Sequence, residues 1–341
     1  MERSRRVAAQ VRRFGFIFAL AACSGAVAEH PTPYGERQDI AQYIDALVAE
    51  HAFDRADLET LFAGAAQRQD IIDRISRPAE KVWSWGRYKT HLVDPARITK
   101  GVAFWAEHEQ TLNAAAERYG VAPEYVVAVL GIETRYGDIT GGFRVLDALT
   151  TLGFDYPPRA DFFRKELTEF LLLAREEGKD PTELKGSYAG AMGYGQFIPS
   201  SYRHYAVDFD GDGLRDIWGN ADDAIGSVAN YFARHKWRGD GAVALRLEVD
   251  GAQLDDLANQ GLKLRHSVAD VRARGVDVPG VDAASKAALF KLEGTDGIEY
   301  WLGLHDFYVI SRYNHSHLYA LAVYELSQAI KAGRSAASVG R

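Results

Sequence analysis

Apolar residues recur at spacings of three and four along most of this chain, the period of helices that bury one face. The stretches IAQYIDALVAEH, ADLETLFAGAA and QDIIDRIS set the pattern. Asp94 then reads as a helix N-cap with Pro95 at the first helical position, and Gly120 follows the last turn of that long helix. A further helix starts around Pro123-Glu124 and runs to Gly137, and DFFRKELTEFLLLAREEG opens at Asp161 and stops at Gly178. DAIGSVANYFARH places Ile225, Val228, Ala229 and Phe232 on one stripe, and HLYALAVYELSQAI returns to the same period near the end.

Two segments break this pattern. SYAGAMGYGQFIPS carries Gly190, Gly193 and Gly195 too densely for a stable helix, which lets backbone approach something closely. From Gly241 to about Tyr308 the period becomes two: Val243, Leu245, Leu247 and Val249 alternate with Ala244, Arg246 and Glu248, and KAALFKLEG and EYWLGLHDFYVI read as further strands. The fold expected is mainly α (α+β), with a small β domain inserted in a helical protein. The divisions expected are 29–36 a tether, 37–120 an N-terminal helical domain, 121–240 a core, 241–308 the β domain, 309–332 a C-terminal segment and helix, and 333–341 a flexible tail.

With 47% hydrophobic and 11% aromatic residues the chain is globular, and a net charge of −7 argues against a nucleic-acid surface. A carbohydrate or peptide partner fits better. Arg3, Arg5, Arg6, Arg12 and Arg13 precede a short apolar run, Phe14 to Ala22, with the length of a signal-peptide core. Leu20-Ala21-Ala22-Cys23 is a lipobox pattern, so the signal ends at residue 22 and Cys23 carries lipid; the alternative is cleavage after Ala26-Val27-Ala28, with residues 1–28 removed. Cys23 is the single cysteine, so no intramolecular disulfide is available, and the core, with or without a metal, must hold the mature domain.

DFDGDGLRDIWGNADD begins like a calcium-binding EF-hand loop. Asp208, Asp210, Asp212, the carbonyl of Leu214, and Asp216 fill the first five ligand positions, and Gly213 takes the turn. Position 12, where an EF-hand has a bidentate Glu, is Gly219.

In VVAVLGIETRYG, Glu133 falls on the stripe of Val126, Val129 and Leu130, so a helix would turn its carboxyl toward the core. Lost hydration there disfavours the charged form and suits a general acid working near neutral pH. The same pattern also fits a buried Glu paired with Arg135. Other motifs are incomplete. His108-Glu109 lacks the second His of H-E-x-x-H, Lys185 stands where a nucleophile elbow needs Gly, and Gly193-Tyr194-Gly195 lacks the third glycine of a dinucleotide loop. His315 and His317 beside a helix start read as surface or capping residues rather than metal ligands.

GIETRYG, LDALTTLGFDYPPRA, LKGSYAGAMGYGQFIPSSY, YAVDFDGDG, DAIGSVANYF and FYVISRYNHS, in this order from Val121 to Leu326, resemble the membrane-bound lytic murein transglycosylase B family of bacteria. The resemblance implies a lysozyme-like core with helical and small β domains around it. It implies cleavage of the bond between N-acetylmuramic acid and N-acetylglucosamine in peptidoglycan without water, the muramyl C6 hydroxyl attacking C1 to leave a 1,6-anhydro sugar. Glu133 matches the single acid/base, and Asp138, near the helix end, is a turn residue rather than a second catalytic carboxylate. Ser187 and Gln196 match residues near the acid and the sugar; Tyr231, Tyr313 and Asn314 match cleft residues. Tyr88 and Arg159 match outer contacts, Arg159 for the negatively charged peptide stem. The acidic loop matches a longer EF-hand-like calcium loop whose last ligand comes after position 12. Asp223 matches that ligand, with Asp222 its competitor because GNAD is one residue longer than usual.

The resemblance thus implies structural calcium and no organic cofactor, and a monomer at the periplasmic face of the outer membrane or, without lipid, soluble in the periplasm. Its partners are glycan strands and enzymes of wall synthesis or hydrolysis. The alternative functions are a hydrolytic muramidase and a non-catalytic, calcium-dependent peptidoglycan-binding protein.

Overall fold

The computed structural model describes residues 32–76 and 83–339; Cys23, the signal segment and residues 340 and 341 lie outside the described residues. The first helices are α1 (Gln38–His51), α2 (Arg55–Ala63) and α3 (Gln69–Ile75), followed by α4 (Trp85–Leu92), α5 (Pro95–Glu107) and α6 (Glu109–Tyr119). Then come α7 (Pro123–Thr134), α8 (Val145–Asp155), α9 (Ala160–Glu176), α10 (Pro199–Tyr205) and α11 (Ala221–Arg234). A short ribbon pairs β1 (Phe143–Arg144) with β2 (Lys185–Gly186). Strands β3 (Ala244–Leu247), β4 (His266–Ser267), β5 (Lys286–Glu293) and β6 (Ile298–Gly303) form an antiparallel sheet in the order β3-β6-β5-β4, with α12 (Val268–Arg272) beside it. The chain ends in α13 (His305–Tyr313) and α14 (His317–Val339).

Helix α7 is the centre. Residues Glu124 to Gly131 are all buried, because the helix is packed by α14, α5, α6 and α11. A helix apolar all round has no solvent face to offer, and α7 uses none until its last turn. Around it, α8 and α9 pack on each other and carry α3 and α10.

The alternation read in the sequence sorts the two faces of the sheet. Ala287, Leu289, Tyr300 and Leu302 join a small core with Leu254, Val268, Val271 and Val278, while Ala288, Phe290, Leu292 and Trp301 face the helices. The sheet is fastened to α4 by one carboxylate. Glu299 Oε2 accepts from Trp85 Nε1 at 3.0 Å and from Trp301 Nε1 at 2.8 Å. Gly86 lets the backbone of Gly294 and Thr295 come against the helix, where a Cβ would meet Thr295 N at 2.7 Å. His317 at the start of α14 stacks on Phe290 at 5.1 Å.

Four expectations are corrected. The run from Asp94 to Gly120 is two helices that break at His108, whose φ of −106° and ψ of 27° are not helical. The strand expected through Tyr308 stops at Gly303 and helix α13 begins at His305, because Phe307 and Ile310 then fall one helical turn apart and both are buried. The tail expected from residue 333 is the end of α14: Gly333 fits against Val102, and Arg334 pairs with Glu109 over the Trp105 ring. The expected tether closes with a 3-10 turn, Tyr34–Glu36, whose buried Tyr34 donates its hydroxyl to Asp155 Oδ2 at 2.5 Å.

Glu299→Leu leaves two buried indole N–H groups without an acceptor, at a cost of about 2–4 kcal/mol. A fall in thermal midpoint is expected, with Glu299→Gln less affected because one amide oxygen remains; equal stability of all three proteins would contradict the clamp.

Candidate active site

Helix α7 ends abruptly. Arg135, Tyr136 and Gly137 all have left-handed φ values of 52°, 63° and 91°. Two consecutive non-glycine residues there cost roughly 1–2 kcal/mol each, and the helix end collects hydrogen bonds in return. Arg135 N bonds Gly131 O at 3.1 Å, Tyr136 N bonds Leu130 O at 3.1 Å, and Ile139 N bonds Thr134 O at 2.9 Å. Thr134 Oγ1 accepts from Gly137 N at 3.0 Å and donates to Tyr194 O at 2.9 Å. Tyr136 folds back over Gly131 and Gly101, where any Cβ would collide with its ring or hydroxyl. Its hydroxyl donates to Arg97 O at 2.9 Å, and the buried Arg97 guanidinium donates from Nε to Gly131 O at 3.0 Å and from Nη1 to His91 O at 2.9 Å.

Glu133, on this last turn, is half-buried. Its Oε1 accepts the hydroxyl of Tyr319 at 2.6 Å. Tyr319, on α14, is 2% exposed, and its ring lies parallel to that of Tyr313 at 6.4 Å and 9°. Burial, then the charge of Glu133, pushes the phenols of Tyr319 and Tyr313 well above their usual range. Both therefore remain protonated donors.

Tyr313 donates to Gly195 O at 2.5 Å, and Tyr231, on α11, donates to Arg312 O at 2.6 Å with its ring 4.7 Å from that of Tyr313. Phe197 completes the wall, 5.8 Å from Tyr313 and 5.9 Å from Tyr231. Asn314 is the C-cap of α13 with its side chain half-buried. Tyr88 is buried on α4 and lies close enough to act electrostatically on Tyr319.

The glycine-rich segment is a turn-rich loop that meets α7 through Tyr194, α13 through Gly195 and the acidic loop through Gly193. Met192 pairs with Phe197 in both directions, at 2.9 and 3.0 Å. Gly193 rests against the Ile217 backbone, and a Cβ at Gly195 would sit 2.8 Å from the Tyr313 hydroxyl. Gln196, at φ 49°, donates from Nε2 to Thr140 O at 3.0 Å and to Gly193 O at 2.9 Å. Ser187 Oγ accepts from Ala189 N at 3.3 Å and Ala191 N at 3.1 Å, closing its own turn. Arg159 stacks on Phe162, with the guanidinium carbon 4.1 Å from the ring centre, at the start of α9. Asp138 is exposed and pairs with Lys100 at 2.5 Å, as fits a turn residue.

The acidic loop gathers Asp208, Asp210 and Asp212, whose carboxylate oxygens lie within 4.8 Å of one another, a set of hard oxygen donors that suits calcium. Leu214 turns its side chain to solvent, and Asp216 Oδ1 accepts from Trp218 N at 3.0 Å and Gly219 N at 3.2 Å. At position 12, a Cβ on Gly219 would lie 2.9 Å from Asp216 Oδ2, the end of a side chain that can shift. Asp223 is fully buried and spans the loop, accepting from Phe209 N at 2.7 Å and Asp216 N at 2.7 Å. Asp222 faces away, accepting from Thr111 Oγ1 at 2.8 Å beside His108 at the α5–α6 break. Asn220 caps α11 and donates from Nδ2 to Asp210 Oδ2 at 2.8 Å.

The family model described as "Transglycosylase SLT domain" matches residues 35–328. The chain belongs to this family. Membrane-bound lytic murein transglycosylase B of Escherichia coli (strain K12) is 43% identical over 303 residues, 86% of this chain and 82% of that protein. The crystal structure of soluble lytic transglycosylase SltB1 from Pseudomonas aeruginosa superposes with a TM-score of 0.83 at 47% identity, covering 87% of this chain and 99% of that one. The Escherichia coli lytic transglycosylase Slt35, solved in complex with calcium, superposes at 0.80 with 42% identity, covering 88% and 95%. The resemblance and the mainly helical fold with a small antiparallel sheet, both expected from the sequence, hold.

Sequence reasoning about this transglycosylase missed Tyr319, the residue that touches the acid. Leu318 to Val323 are all buried, so no apolar stripe singles out one of them. The available signal was chemical: a tyrosine buried in an aliphatic helix needs a partner for its hydroxyl.

Proposed function

We propose that Glu133 is the single acid/base with which this SLT-domain protein cuts the MurNAc–GlcNAc bond of peptidoglycan, leaving 1,6-anhydro-MurNAc. Family membership makes the chain a lytic transglycosylase acting on glycan strands. The observation that carries the finer reading is the Tyr319 hydroxyl on Glu133 Oε1, in a wall of tyrosines at the end of a buried helix. The protonated carboxyl gives its proton to the glycosidic oxygen as the bond to C1 breaks, freeing the GlcNAc 4-hydroxyl. The muramyl C6 hydroxyl bonds to C1, and its proton passes to the carboxylate, which regenerates the acid. No water is consumed. Tyr319 steadies the carboxylate while it is charged, and Asp138, held by Lys100, is not arranged as the second carboxylate of an ordinary glycosidase. Tyr231, Tyr313, Asn314, Gln196 and Ser187 shape the sugar cleft, Tyr88 and Arg159 its outer contacts.

The loop 208–223 is read as a calcium strut. Asp208, Asp210, Asp212, the Leu214 carbonyl and Asp216 would hold the ion, with Asp223 as the closing acid. The support is the carboxylate cluster, the outward turn of Asp222, and a calcium-bound relative. The ion would add a metal tie between the helix carrying Tyr231 and the loop that follows Gln196. Lipidation at Cys23 and residence at the outer membrane's periplasmic face remain part of this reading. One relative is named membrane-bound and another soluble, and no described helix is long and apolar enough to cross a membrane.

Glu133→Gln is expected to lower release of soluble muropeptides from sacculi by roughly 10²–10⁴-fold with an unchanged circular dichroism spectrum. Tyr319→Phe is expected to cost about tenfold in kcat. Because its hydroxyl favours the carboxylate, its loss moves the alkaline limb of the pH–rate profile to higher pH. Full activity of Glu133→Gln would sink the assignment. Calcium should raise the thermal midpoint of the wild type and not of Asp208→Ala. Asp223→Ala should be less stable even without the ion, having lost the acceptor of two amides, and a chelator without effect on the wild type would refute the strut.

A further inference from the structure

Asn220, at the head of α11, uses both ends of one side-chain amide. Its Oδ1 caps the helix, accepting from Asp222 N at 2.9 Å and Asp223 N at 3.4 Å. Its Nδ2 donates to Asp210 Oδ2 at 2.8 Å. These partners fix which way the amide points, because a reversed amide would set its oxygen against a carboxylate and its NH2 group against the N–H groups of the helix. Among the described residues, the other N–H donors to Asp208, Asp210 and Asp212 are backbone amides of the loop itself, from Gly211, Asp212, Gly213 and Leu214.

Asp210 is exposed, so hydrogen bonds rather than packing hold its carboxylate. Its Oδ1 accepts from Asp212 N at 3.1 Å and its Oδ2 from Asn220, which pins both oxygens while lone pairs remain for an ion. A ligand oriented in advance loses less freedom when a cation arrives, which is how hydrogen bonds outside the coordination sphere raise metal affinity. The helix that Asn220 caps begins with Asp222 and Asp223, and Asp223 spans the loop through Phe209 N and Asp216 N. Whatever fixes Asp210 therefore bears on the first turn of α11.

We propose that Asn220 is a positioning residue for calcium: it aims Asp210 at the ion from the first turn of α11, so that ion binding and capping of the helix reinforce each other. The proposal rests on the reading of loop 208–223 as a calcium strut. It adds no ligand to that site and assigns the coupling between ion and helix to a single side-chain amide. Because such coupling is reciprocal, calcium must in turn steady the head of α11.

Calorimetric titration of the full-length wild type, Asn220→Ser and Asn220→Ala with calcium chloride, together with thermal midpoints in chelator, separates the two ends of the side chain. Serine caps a helix about as well as asparagine but carries no amide to extend to Asp210. In chelator, Asn220→Ser should melt with the wild type and Asn220→Ala below it. Both variants should bind calcium about tenfold more weakly. Calcium should slow hydrogen exchange of the Asp222 and Asp223 amides in the wild type, and less so in Asn220→Ser. Wild-type calcium affinity in Asn220→Ser would leave Asn220 a helix cap only and overturn the proposal. So would exchange at the head of α11 that calcium leaves unchanged in the wild type. A wild type that binds no calcium would instead refute the strut reading on which the proposal rests.

Discussion

The structure around the acid depends on how helix α7 stops. A helix buried along most of its length must leave the core somewhere, and this one does so through two strained residues and a glycine directly after Thr134. The turn brings Tyr136 back over Gly131, hands the Thr134 hydroxyl to the glycine-rich loop, and leaves Glu133 on the last turn beneath Tyr319. The strain is offset by the hydrogen bonds of the turn, by Arg97 clasping the carbonyl of Gly131 and by Tyr136 reaching the carbonyl of Arg97. Glu133 is thereby held on the last turn with its Oε1 on the Tyr319 hydroxyl.

The other elements transmit that position outward. Tyr313 links the end of α13 to Gly195, Gly193 rests on Ile217 of the acidic loop, and Asp223 carries the loop into α11 and Tyr231. Glu299 and His317 fix the sheet against α4 and α14, the helices behind Tyr88 and Tyr319. With no disulfide available, these polar ties do between elements what apolar packing does within them.

Much of this was legible in the sequence. Caps at Asp94 and Gly120, the period of two in β3 and β5, and the glycine break were local signals, and local signals survive folding. Glu133 was singled out by its spacing but left open there against a Glu paired with Arg135, and only the family resemblance chose it. What escaped depended on partners far away in sequence. The break at His108 answers to Asp222, the helical tail to Val102 and Glu109, and Tyr319 to an acid 186 residues earlier. Helix α13 was read as strand because EYWLGLHDFYVI closes on the unbroken apolar run FYVI, and only packing of Phe307 and Ile310 chooses the period.

The central claim is that one carboxyl and no water complete the cut. Digestion of sacculi in water enriched in oxygen-18, followed by mass spectrometry of the released muropeptides, tests it most directly. The account predicts 1,6-anhydromuramyl ends without incorporated label. Reducing muramyl ends carrying oxygen-18 would show that water attacks C1, and would contradict it.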